Sequence, residues 1–218
     1  MTLFLLTSLP LVFLLLLWLP WRSSRIPEIT VLLGIFLKGV LIFFPGYIAV
    51  VIVRGIFGFS YGGVLLFLSL FLRDQLFPLL AAIGGFLIMK SKLQISGLDE
   101  ENFLSVFAFL AGFLAMMNIA DMVRSWGYWD SYLLFLLPLQ RLAAVIIVSL
   151  VARRFFPWEG RDAAFLCALM AALALGLAVP GYLVHVNRPL WSVLVTAAPL
   201  VAGIFAFAAR FPRVALLR

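Results

Sequence analysis

Two basic residues lie inside long apolar runs, where a charge has no aqueous partner. Arg141 stands midway along the run Tyr132–Ala152, next to Gln140, and Lys38 follows Ile29 by nine residues in another run. A lysine or arginine at the centre of a membrane span costs at least about 2.5–3.5 kcal/mol, so each needs a compensating partner. Two interpretations stay open. These residues form internal ion pairs, or they make a basic site that binds an anion such as a lipid phosphate or a carboxylate.

Two acidic residues are candidate counter-charges for these cations. Asp74 follows Arg73 directly in a short polar break, and Asp121 comes just after another apolar run. Ionisable side chains within spans generally pair with one another or line a ligand path. We therefore predict a ligand-binding set of polar residues inside the bundle, with Asp74 as its internal counter-charge. The predicted set is Arg141, Lys38, Gln140, Asp74 and Arg73.

A serine and a histidine suggest a second kind of chemistry. The segment Gly58-Phe59-Ser60-Tyr61-Gly62 matches the G-x-S-x-G pattern of a nucleophilic serine, although that elbow needs a strand before the serine. In a helical membrane setting the arrangement resembles the rhomboid serine proteases, in which a serine at a helix start pairs with a histidine from a later helix. The one histidine of the chain, His185, would then activate Ser60. The alternative function is thus a small intramembrane serine hydrolase acting at the outer face, but the His-x-x-x-Asn element for an oxyanion site is missing.

Other catalytic chemistry has no support in the sequence. A single histidine excludes the HExxH zinc motif, and the single cysteine, Cys167, excludes an intrachain disulfide or a cysteine metal pair. Nucleotide-binding glycine loops do not occur either. We therefore predict no metal site and no cofactor, and we favour a non-enzymatic protein.

Nearly the whole chain consists of long apolar stretches separated by short polar breaks. Of the 218 residues, 66% are hydrophobic and 11% are charged, so the bilayer is the expected solvent. Backbone amides in hydrocarbon must pair within their own segment, and these runs lack the alternation of membrane strands. We predict an all-α polytopic membrane protein, a single domain over residues 1–218 with seven or eight transmembrane helices. The apolar stretches are Leu3–Leu19, Ile29–Val53, Ile56–Leu72, Leu76–Met89, Phe103–Ala120, Tyr132–Ala152, Ala163–Val184 and Leu190–Ala209.

The basic residues in the polar breaks predict the orientation of the chain. If all eight stretches cross the membrane, the side shared by both termini holds nine basic residues and the other side five. If Ile56–Met89 makes one net crossing, the split becomes ten against three, which agrees better with the excess of Lys and Arg on cytoplasmic loops. The second arrangement places the C-terminus in the cytoplasm. The expected location is the bacterial cytoplasmic (inner) membrane.

The region Ile56–Met89 is the least regular part of the pattern. Arg73 and Asp74 interrupt it, and Pro78 follows closely. The chain makes either a tight hairpin turn at Arg73-Asp74-Gln75 or a broken, re-entrant pair of helices that meets at a buried Arg–Asp pair. The second alternative is possible because irregular backbone at membrane depth survives beside protein or water.

Small residues recur every four positions in the last two stretches. Lipid gives helices no hydrophobic drive to associate, so small residues that permit close backbone approach are expected at helix contacts. We predict that both stripes pack the final helices against their neighbours; the alternative is a dimer interface. The stripes are Ala164, Ala168, Ala172 and Gly176, and then Ala198, Ala202 and Ala206, with a weaker one at Ala108 and Gly112 in the Phe103 run.

The charge balance and the spans together give the favoured function. The formal charge of +7 would suggest nucleic-acid binding in a soluble protein, but positive cytoplasmic loops explain it here. The expected partners are the lipid bilayer and either other membrane subunits or a lipid-like or anionic ligand, with no nucleic acid. We predict a non-enzymatic membrane protein, which is either a transporter-like carrier or a membrane-embedded subunit of a complex.

Overall fold

The structure, a computed structural model, describes residues 29–56, 62–89, 93, 99–124, 136–152 and 160–210. The regular structure in these ranges is helical throughout, which confirms the all-α class. The predicted first stretch, Leu3–Leu19, lies outside the described residues. The helices are α1 (Ile29–Ile56), α2 (Gly63–Met89), α3 (Asp99–Arg124), α4 (Leu137–Ala152), α5 (Gly160–His185) and α6 (Pro189–Arg210).

Most of these helices have the length and composition of membrane spans. A helix needs roughly 20 residues to cross a hydrocarbon core. Of the six described helices, five are long and apolar enough to cross, and α4 is apolar but shorter, with 16 residues. The described part of the chain is therefore compatible with a helical membrane protein.

Successive helices run in opposite directions. Ile42 in the first half of α1 lies beside Gly85 near the end of α2, whereas Arg54 near the end of α1 approaches Asp74 in the middle of α2. Side-chain contacts among the other helices show that their directions alternate in the same way along the chain. One end of the bundle, called here the Ile56 end, therefore contains Ile56, Gly63, Arg124, Leu137, His185 and Pro189.

The predicted hairpin turn at Arg73-Asp74-Gln75 is wrong, and so is the re-entrant pair of helices. α2 runs through these residues as one helix, in which Phe71–Leu76 adopts the wider π-helical form. Pro78 provides a physical reason, because its ring would clash with the carbonyl of Asp74 in a regular α-helix. The polar side chains need no turn toward water, since they find partners inside the bundle. The region thus makes one passage along the bundle.

Helix α3 is the centre of the core. Its side chains are buried along most of its length, and Phe103, Phe107, Phe109 and Phe113 are fully buried. α1 crosses α3 at very short range through Gly39 and Gly112. Because α3 contacts α1, α2 and α4, polar groups on its last turns can reach several helices at once.

The prediction of helix packing is wrong for the small-residue stripes of α5 and α6, but Gly112 of the weaker stripe does pack α3 closely against α1. Both stripes lie on exposed faces of α5 and α6, and a Cβ added at Gly176 would contact nothing within 4 Å. α5 buries the neighbouring face instead, through residues such as Met170, Ala174 and Leu177. Four-residue spacing defines a face of a helix, but the partner of that face depends on the tertiary arrangement.

Candidate functional site

Five charged side chains from four helices meet inside the bundle. They are supplied by α1 (Arg54), α2 (Arg73 and Asp74), α3 (Asp121) and α4 (Arg141), and we call them the arginine–aspartate cluster. All five residues are at most 9% exposed. Buried charges of this kind are costly unless they are paired and hydrogen-bonded.

Asp121 is the central acceptor of the cluster. Its Oδ1 accepts a hydrogen bond from Arg54 Nη1 at 2.7 Å, and its Oδ2 accepts one from Arg141 Nη2 at 2.6 Å. Arg141 Nη1 also donates to Asn118 Oδ1 at 2.7 Å. Since Asn118 precedes Asp121 by three residues, both acceptors lie on one face of α3. One carboxylate therefore joins α1 and α4 through α3.

Asp74 is held mainly by its neighbour in the sequence. Arg73 donates from Nε to Oδ1 at 2.9 Å and from Nη2 to Oδ2 at 2.7 Å, so both carboxylate oxygens are engaged. Arg54 Nη2 lies 3.7 Å from Asp74 Oδ1, which is an ion-pair distance but too long for a hydrogen bond. Arg54 thus stands between the two aspartates.

Positive charge and hydrogen-bond donors are in excess in the cluster. Three arginines face two aspartates, which leaves a formal charge of +1 for these five residues. Among the described residues, Arg54 Nε, Arg141 Nε and Asn118 Nδ2 are buried without a hydrogen-bond partner. Unsatisfied buried donors are expensive, and each of them would be stabilised by an acceptor, most strongly by one with negative charge.

A chain of neutral hydrogen bonds lies beside the charged cluster. Gln75 Nε2 donates to Gln140 Oε1 at 2.6 Å and to the Leu177 carbonyl at 3.3 Å, and Gln140 Nε2 donates to Thr196 Oγ1 at 3.3 Å. We call Gln75, Gln140 and Thr196 the amide chain. It links α2, α4, α5 and α6, whereas the arginine–aspartate cluster links α1, α2, α3 and α4.

Replacing Gln140 with leucine is expected to lower the free energy of unfolding by about 1–3 kcal/mol. The reason is that the buried Gln75 amide and Thr196 hydroxyl each lose a partner. Chemical unfolding in detergent measures the change. The double variant Gln75→Leu/Gln140→Leu is the control, because removing both members of a bonded pair costs less than leaving one behind. If the double variant loses as much unfolding free energy as the two single variants lose in sum, this explanation is contradicted.

The structure brings together four of the five predicted ligand residues. Arg141, Gln140, Asp74 and Arg73 are buried at the cluster or the amide chain. Lys38 does not join them, because it precedes Arg54 by 16 residues on α1, a distance of about 24 Å along the helix axis. The counter-charge of Arg141 is Asp121, and Asp74 instead neutralises Arg73.

Sequence reasoning missed two members of the site. Arg54 directly follows the apolar stretch Ile29–Val53, a position typical of a loop, but α1 continues to Ile56 and the arginine is buried in the bundle. Asn118 was overlooked, although an asparagine three residues before Asp121 in an apolar run is a detectable signal for a shared polar face.

The residues of the predicted hydrolase are only partly described. Ser60 lies outside the described residues. His185 is exposed at the last position of α5, and its Nδ1–H donates to the Gly181 carbonyl at 2.8 Å. The pairing of Ser60 with His185 stays a prediction from the sequence.

The cluster has the chemistry of an anion site in a water-poor interior. Guanidinium groups bind carboxylate and phosphate oxygens through parallel N–H groups, and exclusion of water strengthens the interaction.

Within the described ranges, no three histidine, cysteine, aspartate or glutamate side chains lie together as a metal site requires. In comparisons with protein families, curated proteins and solved structures, no match to the chain is found.

Proposed function

We propose that this chain is a non-enzymatic integral membrane protein, a carrier or a membrane-embedded subunit, that binds an anionic group at the arginine–aspartate cluster. The observation that carries the proposal is the excess of buried positive charge and unpartnered donors around Asp121. An arginine whose hydrogen bonds are incomplete in hydrocarbon is unfavourable, so a bound anion would stabilise the folded bundle.

The position of the cluster supports access from one membrane face. Arg54 lies two residues before the end of α1, Asp121 three before the end of α3, and Arg141 four after the start of α4. Along α1, α3 and α4 these side chains are therefore about one helical turn from the described helix ends, whereas Arg73 and Asp74 lie in the middle of α2. An anion at that face would reach the cluster without crossing the whole bundle.

The orientation of the bundle is part of the proposal. A single passage for α2 corresponds to the ten-against-three split of basic residues, with Arg54, Arg124 and Arg188 at the Ile56 end. The burial of Arg54 in the cluster leaves two of these three in the polar breaks, so the asymmetry increases. The positive-inside rule then places the Ile56 end outside and the C-terminus in the cytoplasm. In a bacterium, this location would be the inner membrane.

The proposal is tested by native mass spectrometry of the protein purified in mild detergent. Wild-type protein is expected to retain an anionic adduct, and Arg141→Gln to lose it, because that variant reduces the net charge of the cluster from +1 to zero. Arg124→Gln is the matched control, since it removes the same charge from an exposed position on α3. If no anion accompanies the folded wild-type protein, or if Arg141→Gln retains the adduct as wild type does, the proposal is wrong.

A further inference from the structure

The three arginines of the cluster differ in how completely they are bonded. Arg73 uses Nε and Nη2 on Asp74, and Arg141 uses both terminal nitrogens on Asn118 and Asp121. Arg54 makes one hydrogen bond, from Nη1 to Asp121. Its Nη2 reaches Asp74 only at 3.7 Å, and its Nε is buried with no partner in the described structure. Arg54 is therefore the least satisfied of the three.

The unused groups of Arg54 form a single edge of its guanidinium. Nε–H and Nη2–H point in the same direction and match two oxygens of one carboxylate or phosphate group. The cluster contains an example of this pairing, because Arg73 holds the two oxygens of Asp74 through the same two atoms at 2.9 and 2.7 Å. Asp74 offers Arg54 no equivalent pair of acceptors, since both its oxygens are already engaged.

Exposure and charge agree with a ligand at Arg54. Arg54 is 9% exposed, the most of the five cluster residues, and it lies closest to a helix end. The formal charge of +1 is unbalanced within the cluster, so a bound anion would complete both the charge and the hydrogen bonds.

We infer that the anion is an oxyanion that presents two oxygens side by side, a carboxylate or a phosphate group, held by Nε and Nη2 of Arg54 and entering from the Ile56 end. This inference rests on the proposed anion-binding function and names the residue and the chemical class. Arg141 then acts as a positioning residue, because it holds Asp121 against Arg54. A spherical halide offers a single acceptor atom to the two parallel N–H groups, so its hydrogen bonds are bent and it binds less well than a carboxylate or phosphate.

The test uses the full chain in neutral phosphatidylcholine nanodiscs with inorganic phosphate, acetate or chloride at equal ionic strength. The apparent melting temperature is expected to rise with phosphate and acetate and to rise less with chloride. In Arg54→Lys, which keeps the charge but loses the two-atom edge, the affinity for phosphate is expected to fall about tenfold. The exposed Arg124→Lys is the control, and it should keep the affinity of wild type within about threefold.

The outcomes separate this inference from the function on which it rests. Stabilisation by chloride equal to that by phosphate, or unchanged phosphate affinity in Arg54→Lys, would overturn the inference while anion binding still stands. A wild-type protein that binds none of the three anions, and gains no stability in nanodiscs with phosphatidylglycerol, overturns both. Saturable binding of inorganic phosphate identifies a free anion, and stabilisation by phosphatidylglycerol alone identifies a lipid headgroup. The comparison of phosphate, acetate and chloride on the wild-type protein needs no substitution, so it tests the inference even if Arg54→Lys fails to fold.

Discussion

Replacing Asp121 with asparagine is expected to cost about 3–5 kcal/mol of unfolding free energy. Asp121 accepts from two arginines that are buried in the bundle, and the substitution leaves both cations without their short ion pair. The remaining carboxylate, on Asp74, is already bonded twice by Arg73. Equilibrium unfolding in detergent measures the loss.

A double-mutant cycle with Arg141 shows whether charge imbalance causes this loss. Arg141→Gln alone should cost less than Asp121→Asn, because Asp121 keeps Arg54 as a partner. The double variant Asp121→Asn/Arg141→Gln returns the cluster to a formal charge of +1, and it should be more stable than the sum of the single effects by about 1–3 kcal/mol. Additive effects would mean that Asp121 contributes through packing and not through its charge.

Replacing Gly112 with alanine is expected to destabilise the bundle by about 1–3 kcal/mol, because the added methyl meets backbone that cannot rotate away. A Cβ at Gly112 would collide with the carbonyl oxygen of Phe36, and one at Gly39 would collide with that of Phe109. α1 and α3 would have to separate, which also weakens the contact of Arg54 with α3. Thermal unfolding in detergent measures the change.

Gly176→Ala is the matched control for this substitution. Gly176 also lies within a helix, but nothing is within 4 Å of its added Cβ. There, alanine should stabilise the helix slightly, because it loses less backbone entropy than glycine. Equal melting temperatures for the two variants would show that the close crossing of α1 and α3 does not contribute to stability.

Composition and hydropathy were sufficient to predict the all-helical class, and polarity was sufficient to find part of the site. Arg141 and Gln140 stand deep inside an apolar run, so their burial follows from the cost of exposing them to lipid. Arg54 could not be assigned in the same way, because it lies at the end of a run. An arginine there can reach water or turn inward, and only the neighbouring helices decide which.

The wrong predictions for Lys38, for the stripes and for Arg73 and Asp74 have the same origin, because the sequence does not show which helices are neighbours. Lys38 and Arg141 are both polar interruptions of apolar runs, but a run carries no information about which helices are adjacent or at what height. The stripes on α5 and α6 identify a face without identifying its partner. At Arg73 and Asp74, local polarity favoured a turn, but the two side chains pair with one another inside the bundle and Arg54 lies beside Asp74, which allows the helix to continue.

The order of the cluster residues along the chain has a consequence for membrane insertion during synthesis. Arg73 and Asp74 neutralise one another within α2, so this helix can leave the translocon with its charges already paired. The carboxylate that pairs with Arg141 is on α3, which is synthesised before α4. Arg54, the other partner of Asp121, is on α1, which is synthesised before α3. In a bilayer, each later charged helix would therefore enter beside a partner that has already been synthesised, so Asp121 would be available to pair with Arg141 when α4 is inserted.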